Sequence, residues 1–284
     1  FVCFVIMVYY GAVLAWGVQY TIYSVNAAWG DDPTTFFTDT FLQVVPGDTF
    51  SWAPAWSVMI PLALVWVLVL FVIGRGLSKG VEAANKVFLP LLVILFLALV
   101  VRALFLPGAV EGLNAFFTPN WGALADPKVW LAAFAQIFYS LSVGFGIMLT
   151  YASYLQRKSN LTGTALVAGF ANSSFEILAG IGVFSAVGFM AHQGGVSVSE
   201  VEGLTGPILS FVTFPKIISM MPGGPIFGVL FFSSLVLAGV TSLLSLLQVV
   251  SGGLQDKFGW SPARSALVLG VPATVISLVL FGTR

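Results

Sequence analysis

The chain has 284 residues, of which 58% are hydrophobic and 8% charged, and its Lys and Arg balance its Asp and Glu at zero net charge. Soluble domains carry about 25% charged residues, so the composition is that of a multi-pass, all-α protein of the lipid bilayer. No basic excess supports nucleic-acid binding, and the single Cys3 excludes an intramolecular disulfide.

The chain opens FVCFVIM, already apolar and without the basic flank of a signal peptide. It stops equally abruptly at Gly282-Thr283-Arg284, so we read it as a segment of a longer protein. Seven apolar runs follow one another: Val2–Ser24, Trp56–Gly74, Val87–Pro107, Val129–Leu155, Thr162–Ala191, Ile226–Leu254 and Ala266–Gly282. Runs near 20 residues match a bilayer crossing, which predicts seven membrane spans.

Arg75, Lys79, Lys86, Arg157, Lys158, Lys257 and Arg264 fall in the loops after spans two, four and six. Opposite loops hold Asp31, Asp32, Asp39, Asp48, Glu111, Asp126, Glu200 and Glu202 against Arg102, Lys128 and Lys216. Lys and Arg bias sets orientation, so the start of the chain is expected in the cytoplasm and its end outside, in a plasma membrane. Trp29, Trp52, Trp56, Trp121 and Trp130 then form an expected outer aromatic belt. The outer loop 26–51, with turn signals at Gly30-Asp31-Asp32-Pro33 and Pro46-Gly47-Asp48, reads as a solvated connector. Between Gly206-Pro207 and Pro222-Gly223-Gly224-Pro225 lies ILSFVTFPKIISMM, apolar but too short to span. It is either a re-entrant cap over an outer vestibule or a helix lying on the surface.

The fourth span carries AQIFYSLSVGFG from Ala135 to Gly146, with Ser140, Ser142, Gly144 and Gly146 inside seven residues. Glycine weakens a helix, and serine hydroxyls can bond to backbone or ligand. A break here leaves peptide groups unpaired at membrane depth, tolerated only where they are buried in protein or line a site. Two readings stand: a discontinuous helix that binds something, or an intact helix whose small residues permit close packing. In span five, Glu176 lies midway along the helix, where an ionisable group is costly and marks function by default, with Asn172 one turn before it. The bland alternative is a protonated carboxyl bonded to a neighbouring helix. Span six offers Ala238, Thr241 and Ser242, whose oxygens suit a hard cation such as Na⁺, although Thr and Ser pairs are more often helix–helix glue. The lone His192, read as solvated loop surface, rules out a His-based triad or HExxH zinc site within the membrane. No Gly-rich phosphate loop with its Lys is present, so neither an enzyme nor an ATP-driven pump is indicated.

FAQIFYSLSVGFG followed by TYASY, then ANSSFEIL, then LAGVTS, resemble the sixth to eighth helices of the neurotransmitter:sodium symporters. Tyr9-Tyr10 with Trp16, SKGVEAANKVFLPLL, and GLNAFFTPNW with DPKVW extend the resemblance over essentially the whole chain. It implies a partial inverted-repeat transporter fold, similar to the bacterial leucine transporter, covering helices three to nine of twelve. On this reading 1–284 is one incomplete transmembrane domain, with the end of the first repeat at 1–107 and most of the second at 129–284. The fourth span is its discontinuous helix, at about 129–155.

The resemblance also implies roles. Tyr10 holds the substrate carboxylate; the unwound backbone from Ser140 through Ser142 to Gly144, with outer-gate Tyr139, helps to bind substrate. Ile6, Phe145 and Leu246 line a fairly apolar side-chain pocket. Ser140 and Asn172 belong to one sodium site; the Ala238 carbonyl, Thr241 and Ser242 belong to a second. Each site is only partly contributed by this chain. Glu176 stands where chloride-dependent animal relatives bind chloride, which implies a chloride-independent, sodium-coupled symporter of a neutral amino acid. Tyr154 resembles the cytoplasmic-gate aromatic. The first, second and tenth to twelfth helices are missing from the resemblance, so these residues alone are not expected to transport. The rival readings are a channel, which requires a continuous polar stripe where span four is polar only at its centre, and a non-transporting membrane binding protein.

Overall fold

The computed structural model describes residues 2–44, 51–156, 158–201, 203–204 and 206–283, apart from the side chains of 77 and 78. The turn expected at Pro46-Gly47-Asp48, and Arg157 and Glu202 of the charge pattern, lie outside the described residues. Ten helices carry the argument: α1 (Val2–Tyr23), α2 (Trp56–Gly74), α3 (Ala83–Leu104), α4 (Ala109–Phe117), α5 (Pro127–Ser140), α6 (Ile147–Ser153), α7 (Leu161–Gly194), α8 (Phe214–Met220), α9 (Gly224–Phe258) and α10 (Pro262–Phe281). Among the described residues, α1, α2, α7, α9, α10 and the helical stretch ending in α3 are long and apolar enough to cross a membrane. The remaining expected span is divided between α5 and α6.

Helix ends follow local chemistry. Asp126 caps α5 by accepting the Lys128 N–H at 2.9 Å, and Pro127 starts the helix where no N–H is needed. Asn160 accepts from the Gly163 N–H at 2.9 Å at the start of α7, and Gly195, in the left-handed region, closes its end. On α2, Leu62, Val65, Trp66 and Val69 are buried while Ile60, Leu64, Val67 and Phe71 are exposed. A helix apolar on both faces presents one to protein and the other to lipid.

The residues group into two compact units: Phe1–Leu99 with Glu202–Arg284, and Val100–Val201. In the first unit α1 packs on α2, α9 and α10. The Ser277 hydroxyl of α10 donates to the Val8 carbonyl of α1 at 2.8 Å, fully buried. At one end of α1, Tyr20 is enclosed by the rings of Tyr23, Trp29, Phe36, Phe37, Phe41, Phe211 and Phe232.

This cluster corrects two expectations and bears on the two readings left open for a third segment. The loop 26–51 is not simply a solvated connector, because Trp29, Phe37 and Phe41 are buried in the cluster through a short helical turn at Pro33–Thr35 and a π-turn at Phe36–Phe41. Burying several rings outweighs the cost of ordering the polar residues between them. Trp29 is therefore not a belt residue; its indole stacks on Tyr20 and donates to the Ser219 hydroxyl at 2.8 Å. The segment Gly206–Met220 does not lie on the surface, since Phe211, Phe214, Ile217 and Ile218 are all buried.

In the second unit, α4 crosses α7 with almost no space between backbones. A Cβ at Gly112 would collide with the Phe184 carbonyl, and one at Gly188 with the Gly108 carbonyl. Such small-residue contacts let membrane helices gain dispersion energy where no hydrophobic drive separates protein from lipid. His192 departs from the expected loop position: it sits in the last turn of α7, with Nδ1 3.1 Å from Glu111 Oε1 of α4. Gly188→Val is expected to separate these helices and lower the thermal stability of the protein in detergent by about 1–3 kcal/mol, the usual cost of overpacking. A control, Gly169→Ala, where a Cβ meets nothing within 4 Å, is expected to leave it unchanged or raise it slightly.

Candidate functional site

The fourth span is interrupted, and the interruption is built from adjacent backbone conformations. α5 stops at Ser140; Leu141 stands at φ −78° and ψ 0°; Ser142 turns to φ 55° and ψ 31°. One 3₁₀ turn, Val143–Phe145, leads to Gly146 at φ 73°, from which α6 starts. Glycine takes this left-handed conformation freely, whereas for serine it is a strained position. Among the described residues the carbonyls of Ser140 and Leu141 accept no backbone hydrogen bond, as expected where the helical ladder stops.

Side chains brace the gap. The Tyr139 and Phe145 rings meet edge to face at 5.3 Å across it, and Gly144 sits against Phe138, leaving a Cβ only 2.6 Å from Cε1. Thr150 ties the start of α6 by donating its hydroxyl to the Gly146 carbonyl at 2.9 Å. The second unit also connects the break to α7: the Asn172 amide donates to the Ser140 hydroxyl at 3.2 Å, and that hydroxyl donates to the Ile137 carbonyl at 3.3 Å. The Asn172 amide oxygen is then left without a donor among the described residues. Glu176 is half-buried one turn further along α7. Tyr154, just past α6, is exposed.

The first unit places the other expected residues. The Thr241 hydroxyl donates to the Ala238 carbonyl at 2.8 Å, and Ser242 is exposed. Gly239 between them is buried against α1, where a Cβ would stand 2.7 Å from Leu14 Cδ1 and 3.8 Å from Tyr10 Cε1. Tyr10 of α1 and the Ala238–Ser242 turn of α9 are thus brought side by side. Ile6 is half-buried one turn before Tyr10, and Leu246 is buried. The sequence did not mark the strain at Ser142 or the Phe138–Gly144 contact; the small residue flanked by rings was the available signal.

A family model described as the sodium:neurotransmitter symporter family matches residues 28–284. An uncharacterised sodium-dependent transporter of Methanocaldococcus jannaschii is 37% identical over 277 residues, covering 96% of this chain and 56% of that protein. The human sodium- and chloride-dependent creatine transporter 1 is 34% identical over 222 residues, covering 78% of this chain and 34% of that one. The crystal structure of MhsT in complex with L-phenylalanine aligns with a TM-score of 0.77 at 34% identity, covering 99% of this chain and 60% of that chain. The chain thus spans about half the length, or less, of the curated relatives it matches.

If the left-handed turn at Ser142 is the hinge of the break, Ser142→Gly should leave thermal stability unchanged or raise it. Ser142→Val should lower it, because a β-branched side chain tolerates that conformation worse than serine, which already bears its cost of about 1–2 kcal/mol. Equal melting curves for the two variants would mean the turn is absent.

Proposed function

Because the chain belongs to the sodium:neurotransmitter symporter family, we propose that the protein is a sodium-coupled symporter of a neutral amino acid that needs no chloride. The observation that carries this reading is the interrupted span, with Asn172 bonded to Ser140 at its edge. A backbone released from its own ladder at membrane depth has donors and acceptors for a zwitterion, and side-chain and peptide oxygens beside it suit a hard monovalent cation.

In this proposal the Asn172 amide oxygen and Ser140 contribute to one sodium site. Ala238 through its carbonyl, with Thr241 and Ser242, contributes to a second; the Thr241 hydroxyl, already donating to Ala238, keeps its lone pairs for a cation. By the family resemblance, the residues proposed for the amino acid are Ile6, Tyr10 and Leu246 of the first unit and Tyr139, Phe145 and the backbone from Ser140 through Ser142 to Gly144 of the second. An apolar lining discriminates against charged side chains, which would be left unpaired. The amino acid bound to MhsT supports this substrate class. Glu176 supplies a fixed negative charge against the sodium ions, the role chloride fills elsewhere; the creatine transporter is named for both ions and the archaeal relative for sodium alone.

Sodium and amino acid then bind cooperatively, each raising the other's affinity by the same factor, and the site opens to one side of the membrane at a time. Residues 1–107 are the end of a first inverted repeat and 129–284 most of a second. The protein sits in the plasma membrane with the start of the chain cytoplasmic, following the Lys and Arg bias, and Tyr154 belongs to the gate on that side.

Amino-acid binding by the full-length protein is expected to need sodium and to be the same in chloride and gluconate. Asn172→Ala should weaken sodium affinity roughly 10- to 100-fold, because a lost contact to a charged group costs about 1.5–3 kcal/mol. Glu176→Gln should create a chloride requirement. Binding indifferent to sodium overturns the symporter reading, and a chloride requirement in the unmodified protein overturns the role of Glu176.

A further inference from the structure

One end of the first unit gathers Arg75, Lys79, Lys257 and Arg264, against Asp256 and a Glu82 already paired with Lys86. The backbones of Gly74 and Gly76, at the end of α2, lie within about one van der Waals contact of Ala263 and Pro262 at the start of α10, with a Cβ at Gly76 standing 3.3 Å from Pro262 Cγ. This brings Arg75 next to the chain that carries Arg264. The Arg75 guanidinium sits 4.4 Å over the Phe71 ring and that of Arg264 4.6 Å over Trp260. The Lys257 ammonium sits 5.4 Å over Phe258, whose ring stacks on Trp260 at 4.9 Å.

Lys86 is paired with Glu82 at 2.8 Å, but among the described residues Arg75, Lys79, Lys257 and Arg264 form no ion pair. The dipoles of α2 and α9 account for cations at their C-terminal ends, but not for Arg264. It occupies the first turn of α10, the positive end of that helix, where a cation is unfavourable unless an anion accompanies it. The exposed rings of Phe71 and Phe258 lie towards the ends of two helices long and apolar enough to cross a membrane, and aromatic side chains favour the headgroup region there.

We infer that this cluster binds the headgroup of an anionic phospholipid from the adjoining leaflet, with Arg75 and Arg264 on its phosphate and Phe71, Phe258 and Trp260 against the start of its acyl chains. A free phosphate ion has the charge for the arginines but nothing for the rings. The inference depends on the protein being in the membrane, not on what it transports.

The test measures lipid binding to the full-length, delipidated protein with phosphatidylglycerol, phosphatidylcholine and inorganic phosphate as probes. Phosphatidylglycerol is expected to bind well above phosphatidylcholine, and its binding is expected to weaken as salt is added. The double variant Arg75→Gln with Arg264→Gln should lose about 25-fold in that affinity, taking roughly fivefold per cation beside an anionic lipid, while Arg264→Lys keeps most of it. Both arginines are exposed, so the double variant is expected to melt with the unmodified protein in phosphatidylcholine. Equal binding of the two lipids, binding insensitive to salt, or full retention by the double variant overturns the inference. Displacement of the lipid by an equal concentration of inorganic phosphate overturns the choice of a lipid.

Discussion

A polypeptide in hydrocarbon must pair its own peptide groups, and between Ser140 and Ile147 a bilayer-length span of this chain leaves its helical ladder open. Such a gap persists only if the surrounding structure holds it open. Here Ser142 and Gly146 supply two left-handed residues that no regular helix can absorb, and the Tyr139–Phe145 edge contact fixes the two helical halves across them. Asn172 then ties the edge of the gap to the long helix α7. The functional reading depends on this one departure from the helical ladder.

The two units are stabilised differently. The second relies on close backbone approach, with Gly112 and Gly188 allowing α4 and α7 to touch where side chains would hold them apart. The first relies on bulk: rings converge on Tyr20 from α1, from the segment after it, from the π-turn at Leu209–Thr213 and from α9. Both π-turns carry a ring into the cluster, and the Phe37 and Phe211 rings stack on one another at 5.8 Å. Widening a helical turn by one residue is one way to rotate a ring inward without ending the helix.

Much of this was legible in the residues. Apolar run length gave the spans to within a few residues, and the density of Ser and Gly in SLSVGFG located the break. What failed has a physical reason. Trp29, Phe37 and Phe41 lie among Asp, Thr and Gly, and average polarity hid rings that share one inward direction. His192 was assigned to a loop because the helix continues past the apolar run to Gly194, where Glu111 is available as a partner. The oxygens proposed as cation ligands on α9 were legible only as residue types; that Tyr10 stands beside them depends on the packing of Gly239 against Leu14, which no single-chain pattern encodes.

The lengths of α7 and α9 have a mechanical consequence. With 34 and 35 residues, at about 1.5 Å each, they are rods of roughly 50 Å, against about 30 Å of hydrocarbon. They must lean or protrude, and their polar ends, His192 on one and Lys257 on the other, mark where each emerges into water. A thicker membrane would draw these rods upright and a thinner one would let them tip, so the host bilayer's thickness becomes a lever on the angle at which Asn172 and Thr241 are presented.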